Sequence, residues 1–184
     1  SRSNSSSGSV GAVITAALII GQLYGMRMFN ITATKLGAAR GARISLSRVR
    51  DEIRTGKILI VGNGDGVTFT NVPDGKARQG NALRIFPTAD TNSYITYFLD
   101  PGEQQLKRQP SGGDSETIAS FITNTIAFRA EYFAGNVLTN DSNNRVIKLS
   151  LDFYQWEFPM AQAGAGAFYE FYHLQTRIAR RSIE

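Results

Sequence analysis

From Val10 to about Arg54 the apolar positions recur at helical spacing. The stretch opens as an almost uncharged run, Val10 to Met26, in which Thr15 and Gln22 are the polar interruptions. Arg27 ends that run, and the pattern continues as an amphipathic half. There Leu36, Ala39, Arg43, Leu46, Val49 and Ile53 follow one another at three- and four-residue steps, the period that lines one face of a helix. No proline intervenes, and Asp51 is the first acidic residue of the chain. The pattern predicts one helix over 10–54. A helix of roughly 45 residues is about 68 Å long at 1.5 Å rise per residue, whereas a compact domain of this size is about 30–35 Å across. Such a helix would protrude from its domain.

After Thr55-Gly56, a helix stop with glycine in the expected place, the period changes from 3.6 to 2. Lys57–Val61 reads as a strand, Gly62–Gly66 as a tight turn, and Val67–Val72 as the hairpin partner. Pro73-Asp74-Gly75 is a further turn, followed by a basic loop and a strand over Ala82–Phe86. Ser93–Leu99 and Gln104–Arg108 pair across Asp100-Pro101-Gly102-Glu103. Ile118–Ile122 admits either a short helical turn or the start of a strand, and Ile126–Tyr132 is a strand. Arg145–Trp156 is the longest strand, and Phe168–Ile178 alternates into a closing one. The expected fold is therefore α+β: a long protruding N-terminal helix packed by its second half on an antiparallel β-sheet head. Its parts are a Ser-rich flexible start over 1–9, the helix over 10–54 (apolar over 10–29, amphipathic and basic over 30–54), and a β-rich head over 55–184.

Composition narrows the chemistry. Of 184 residues, 42% are hydrophobic and 19% charged, which suits a folded domain plus an extension. The chain has no cysteine and one histidine, His173, so disulfide frameworks, thiolate metal sites, histidine triads and multi-histidine metal sites are excluded. The net charge is +5, and it is unevenly placed. Arg27 to Lys57 holds eight basic residues against Asp51 and Glu52, a local net of +6. Such a stripe suits carboxylates on sister subunits, anionic headgroups or nucleic acid, and it also suits plain solvation. As a membrane span the apolar run is marginal, since about 20 apolar residues are needed, and Gly11, Gly21 and Gly25 fit close helix packing.

Other motifs read more plainly as structure. Gly62–Gly66 precedes a strand rather than the helix that a phosphate-cradling loop requires, so it is a hairpin turn. Asn140–Asn144 offers too few carboxylates for a calcium loop. His173 lies in an aromatic-rich strand with no evident acid or nucleophile partner, and the aromatics between Phe153 and Tyr172 fit sheet core. No nucleophile–base pair, metal cluster or paired acidic motif is evident, although Glu131, Asp152 and Glu157 are carboxylates that a fold can bring together. The expectation is a protein that is not an enzyme and takes no cofactor.

Several segments, in this order, resemble the type IV pilin and type II secretion pseudopilin superfamily, nearest to its minor-pilin or pseudopilin J/W-like members. They are Leu23–Phe29, Ala42–Arg54, Tyr97–Asp100, Leu106–Arg108 and Leu174–Ile178. The opening Ser1–Ser5 departs from the family's aromatic start and its glutamate, so Ser5 is not expected to pair with a neighbour's terminal amine. The resemblance implies a subunit of a pilus or pseudopilus-like helical filament, assembling through an apolar helix. The assembly core would be Val10, Val13, Ile14, Ala17, Leu18, Ile19, Leu23, Tyr24 and Met28. The basic inter-subunit stripe would be Arg27, Lys35, Arg40, Arg43, Arg48, Arg50 and Arg54. Identical or homologous subunits are the implied partners, with the inner membrane before assembly and an extracellular filament or cell surface after it. DNA or another anionic polymer is a further partner that the basic residues admit. The alternative is a membrane-anchored surface module that binds DNA or polysaccharide without polymerising.

Overall fold

Residues 22, 46–140, 146–156 and 169–181 are described in a computed structural model of the chain. The chain divides into two compact units, residues 1–43 and 44–184. Of the first, Gln22 is described; it is helical and exposed. The second unit holds the helix and the sheets discussed below.

Helix α1 covers residues 46–55. Val49 and Ile53, four positions apart, are fully buried, and the partly buried Leu46 packs against the same core. This is the apolar stripe that a helix must bury to be stable at such a length. Gly56 follows, and its N–H bonds to the Glu52 carbonyl at 2.9 Å. A Cβ on Gly56 would stand 2.8 Å from Ile85 Cγ2 and 3.0 Å from Leu59 Cδ2, so only glycine lets the helix end lie this close to the strands.

Among the described residues ten strands follow, in antiparallel pairs. β1 (Ile58–Gly64), β2 (Phe69–Asn71), β4 (Ala82–Phe86), β5 (Ile95–Asp100), β6 (Gln105–Pro110) and β7 (Glu116–Ser120) form one sheet in the order β2-β1-β4-β5-β6-β7. β3 (Gln79–Gly80), β8 (Phe128–Glu131), β9 (Val146–Trp156) and β10 (Tyr169–Ala179) form a second, in the order β10-β9-β8-β3. Alternation decides which face is buried. Leu59, Val61, Leu83, Ile85, Tyr97, Leu99 and Leu106 of the first sheet meet Phe128, Ala130, Ile147, Leu149, Leu151 and Ile178 of the second in one core, which Val49 and Ile53 of α1 complete. The Asn81 side chain joins β1 to β5. Its Nδ2 donates to the Gly64 carbonyl at 2.7 Å and to the Leu99 carbonyl at 3.1 Å, while its Oδ1 accepts from the Gly64 N–H at 2.9 Å.

This corrects the expected fold class. The described residues are mostly antiparallel sheet with a single short helix, 46–55, and not a β head packed on a helix over 10–54. Residues 10–21 and 23–45 of the expected helix lie outside the described residues. A 3.6-residue period states which side chains would share a face, and it runs through Gly37 and Gly41 unbroken although each glycine weakens a helix by about 1 kcal/mol. The second unit needs only the turns that place Val49 and Ile53 on the sheet. The unit boundary also puts α1 with the strands.

Candidate functional site

Two polar arrangements stand out, one where α1 meets the first sheet and one on the outer side of the second. The first is built on Glu52. It lies one position before Ile53 and three after Val49, so the helix that buries those two also carries Glu52 to the sheet. There Arg108 Nη2 donates to Glu52 Oε1 at 2.9 Å, and Arg108 Nε lies 3.1 and 3.2 Å from the two carboxylate oxygens. The Tyr97 hydroxyl donates to Glu52 Oε2 at 2.7 Å. Tyr97 sits on β5 opposite Arg108 on β6, and both point inward. The side chain of Arg108 is 11% exposed and that of Glu52 20%.

Charge and burial act together here. Burial, and then the hydrogen bond and charge of Glu52, push the Tyr97 hydroxyl far above its ordinary value. Burial pulls the pKa of Arg108 down, but its hydrogen bond to Glu52 and that carboxylate's charge outweigh it, and the net shift is upward. Arg48 extends the cluster outward, with Nε 3.4 Å from Glu52 and Nη1 2.9 Å from Glu116 on β7. The result is a fixed, charge-compensated joint between helix and sheet.

The second arrangement lies where β8 begins. Residues 121–127 continue beside β9: Ser150 N–H bonds to the Ala127 carbonyl at 2.9 Å, Thr123 N–H to the Asp152 carbonyl at 2.9 Å, and Tyr154 N–H to the Phe121 carbonyl at 2.8 Å. The Asn124 amide locks the turn by donating to the carbonyls of Ile126 (2.7 Å) and Ser150 (2.9 Å) and accepting from Asp152 N–H at 2.9 Å. On the outward face, register places His173 opposite Asp152, Gln175 opposite Ser150 and Arg177 opposite Lys148. His173 Nδ1 is hydrogen-bonded to Asp152. Asp152, His173, Ser150 and Gln175, with Thr123–Ile126 and Arg129, line an open depression of about 500 Å³. Beside it the buried carboxylate of Glu131 has Arg177 Nε at 2.9 Å and Lys148 Nζ at 3.8 Å. Its Oε2 is off the line of a hydrogen bond, so the compensation is ionic.

The sequence-expected residues fall as follows. Arg48, Arg50 and Arg54 of the basic stripe are described. Arg48 is engaged within its own head, Arg50 lies 3.6 Å from its neighbour Asp51, and the Arg54 carbonyl accepts from Arg181 N–H at 2.9 Å. Arg27, Lys35, Arg40 and Arg43 lie outside the described residues, as do all nine assembly-core positions, Val10, Val13, Ile14, Ala17, Leu18, Ile19, Leu23, Tyr24 and Met28. Gly62–Gly66 and its flanks do form a hairpin bend, with the Asp65 carboxylate accepting from Val67 and Thr68 N–H at 2.8 and 2.7 Å. Those bonds hold its pKa below the usual carboxylate value. His173 does have an acid partner, Asp152, which alternation alone did not pair with it. Of the three carboxylates considered together, Glu131 pairs with Arg177 and Asp152 is hydrogen-bonded to His173, so the two have separate partners, and Glu157 lies outside the described residues. Among the described residues no group of three metal-ligating side chains occurs, and no helix is long and apolar enough to cross a membrane. Glu52, Tyr97 and Arg108 were not singled out together by sequence, although the inward position of a charged arginine on β6 was a signal.

No protein-family model, curated protein or solved structure matches the chain.

Proposed function

We propose that the chain is a structural subunit of a pilus or pseudopilus-like helical filament, assembling through residues 10–29 and displaying the β-rich unit 44–184 as its head. The observation that carries this reading is the Glu52–Tyr97–Arg108 joint. Ala42–Arg54, Tyr97–Asp100 and Leu106–Arg108, three of the segments on which the resemblance rests, each send one side chain to it. A head joined this firmly to its helix suits a subunit positioned by the chain that precedes it. Burial of apolar surface of residues 10–29 against sister subunits contributes roughly 25 cal/mol per Å². A head-to-tail contact whose rotation does not close gives an open filament. Sister subunits are then the partners, with the inner membrane before assembly, a filament or cell-surface location, and no catalysis or cofactor.

Electron microscopy of the purified full-length protein tests this directly. Wild-type filaments are expected, and Ile14→Asp, Leu18→Asp or Ile19→Asp is expected to abolish them while the β-sheet circular dichroism of the head persists. Normal filaments from these variants would overturn the proposal. Wild-type protein that remains in detergent micelles without polymerising would favour the membrane-anchored binding module instead.

A further inference from the structure

Positive charge collects where the last turn of α1 meets the chain just after β10. Arg181 N–H donates to the Arg54 carbonyl at 2.9 Å, and the Arg180 guanidinium donates to the Lys57 carbonyl. Two stretches far apart in sequence are thus held side by side, and Arg54, Lys57, Arg180 and Arg181 come together. The backbone beneath them is fixed, since Lys57 N–H bonds to the Phe86 carbonyl at 2.7 Å and Thr55 Oγ1 to the Asp51 carbonyl at 2.9 Å. Arg54, Lys57 and Arg181 are exposed and Arg180 is half-buried. None of these cations has an ionic partner among the described residues. The carboxylates nearest them in the chain are already engaged, Asp51 with Arg50 at 3.6 Å and Glu52 turned inward on Arg108 at 2.9 Å.

A helix end attracts cations by itself, but only in part does that account for the cluster. The C-terminus of a helix carries about half a negative charge, so a cluster of four cations leaves an excess of about three positive charges or more. Other cations of the head, Lys76 and Arg129 among them, also lack ionic partners. What sets this cluster apart is that its members adjoin one another with no carboxylate between them. The row Arg129, Lys148 and Arg177 across the second sheet, by contrast, has Glu131 beside it, within 3.8 Å of Lys148 and 2.9 Å of Arg177.

The surroundings select the partner. Large apolar side chains anchor protein interfaces and amphipathic contacts with membranes. Among the described residues those that are exposed lie mostly on other turns (Val67, Phe121, Tyr132 and Phe133), and Ile58, at 37%, is the one next to this cluster in the chain. A cationic surface so short of apolar anchors suits a polyanion held through its charges. Arg54, Arg180 and Arg181 are guanidiniums, whose paired N–H donors match phosphate oxygens. Nucleic acid presents such oxygens in a regular series, and neutralising cations supply its non-specific binding. We infer that Arg54, Lys57, Arg180 and Arg181 bind the phosphate backbone of nucleic acid without regard to sequence. A single head carries the whole site, so the inference does not rest on the filament reading.

Fluorescence anisotropy of a labelled mixed-sequence DNA duplex, titrated with full-length protein in non-ionic detergent at several salt concentrations, reads this out. Each phosphate contact contributes about −0.9 to the slope of log K against log salt, so four contribute about −3.6, a loss of roughly 150-fold between about 50 and 200 mM salt. Differences between variants remove the background from the chain's other cations. The side chains of Arg54 and Arg181 make no hydrogen bond or ion pair among the described residues, so replacing them leaves the fold intact. Arg54→Gln with Arg181→Gln is expected to flatten the slope by about 1.8 and to weaken binding about tenfold or more at low salt. Lys76→Gln with Arg129→Gln removes the same charge elsewhere and is expected to change affinity by less than about twofold. Arg54→Lys with Arg181→Lys keeps the charges and should keep the slope. Absence of binding at about 50 mM salt overturns the inference, as do equal losses from the two glutamine pairs, which would show attraction by net charge alone. A heparin fragment that binds more tightly than the duplex, with the same dependence on Arg54 and Arg181, overturns the nucleic-acid assignment in favour of a sulfated polysaccharide.

Discussion

Replacing Glu52 by alanine tests the helix–sheet joint most sharply. The variant leaves Arg108, 11% exposed, without its bidentate partner and leaves the Tyr97 hydroxyl without its acceptor. Breaking a fully buried pair costs about 3–5 kcal/mol, and because Glu52 is 20% exposed the expectation is nearer about 3 kcal/mol. For a head of this size that lowers Tm by about 6–12 °C. The outer pair, Arg48 with Glu116, has side chains 46% and 55% exposed, so Arg48→Ala should cost under about 1 kcal/mol. Replacing the whole cluster by apolar residues of similar size (Glu52→Leu, Arg108→Met, Tyr97→Phe) should recover most of the loss, because no charge is then left buried and unpaired. Urea unfolding of each variant, with a double-mutant cycle between Glu52 and Arg108, is the assay. A loss below about 1 kcal/mol for Glu52→Ala, or a coupling below about 0.5 kcal/mol, would refute a joint built on this carboxylate.

Four further expectations follow from named contacts. Asp65, held down by backbone N–H groups, and Asp100, held down chiefly by Lys107, have folded-state pKa values below their ordinary ones. Their contribution to stability is therefore present above about pH 4 and is lost as pH falls through the lower folded values; Asp65→Asn should flatten that acid limb of a stability-versus-pH curve. Tyr97 is shifted the opposite way, so folding opposes its ionisation: stability is full below about pH 10 and declines above it, and ultraviolet titration should show one tyrosinate appearing only with unfolding, a step absent from Tyr97→Phe. Gly56→Ala should destabilise by about 1–3 kcal/mol through overpacking against Ile85 and Leu59, as thermal denaturation would show. His173→Gln should change stability by less than about 1 kcal/mol, because His173 and Asp152 are each about half exposed; a larger loss would mean that the pair closes the turn at 121–127.

The sheet was legible wherever alternation and a turn agreed. The β5–β6 hairpin, the long β9 and the closing β10 were each expected within two or three residues of where they lie, because polar turns bound them and one face of each alternates. β3 was not foreseen, since two residues, Gln79 and Gly80, carry no period. At Ile118–Ala119 two adjacent residues are buried where the β6–β7 register shifts between Leu106 and Lys107, and that irregularity is why the segment also read as a helical turn. Of the helix expected over 10–54, Gln22 and α1 lie among the described residues; a repeat reports a shared face and not the surface that would bury it. The joint was hidden for a different reason. Glu52 is 45 positions from Tyr97 and 56 from Arg108, and only the packing of α1 on the sheet closes those distances.

The same joint sets how the head would answer a mechanical pull. Traction applied through the chain preceding α1 reaches the sheet at β5 and β6, interior strands of the six, rather than at an edge that can be peeled one hydrogen bond at a time. To come away, α1 must withdraw Val49 and Ile53 from the core while Glu52 releases Arg108 and Tyr97, so these restraints resist together, as in shear. Tension that reaches the head through α1 is therefore shared by several restraints that must give way at once, and the sheet is not unzipped from an edge.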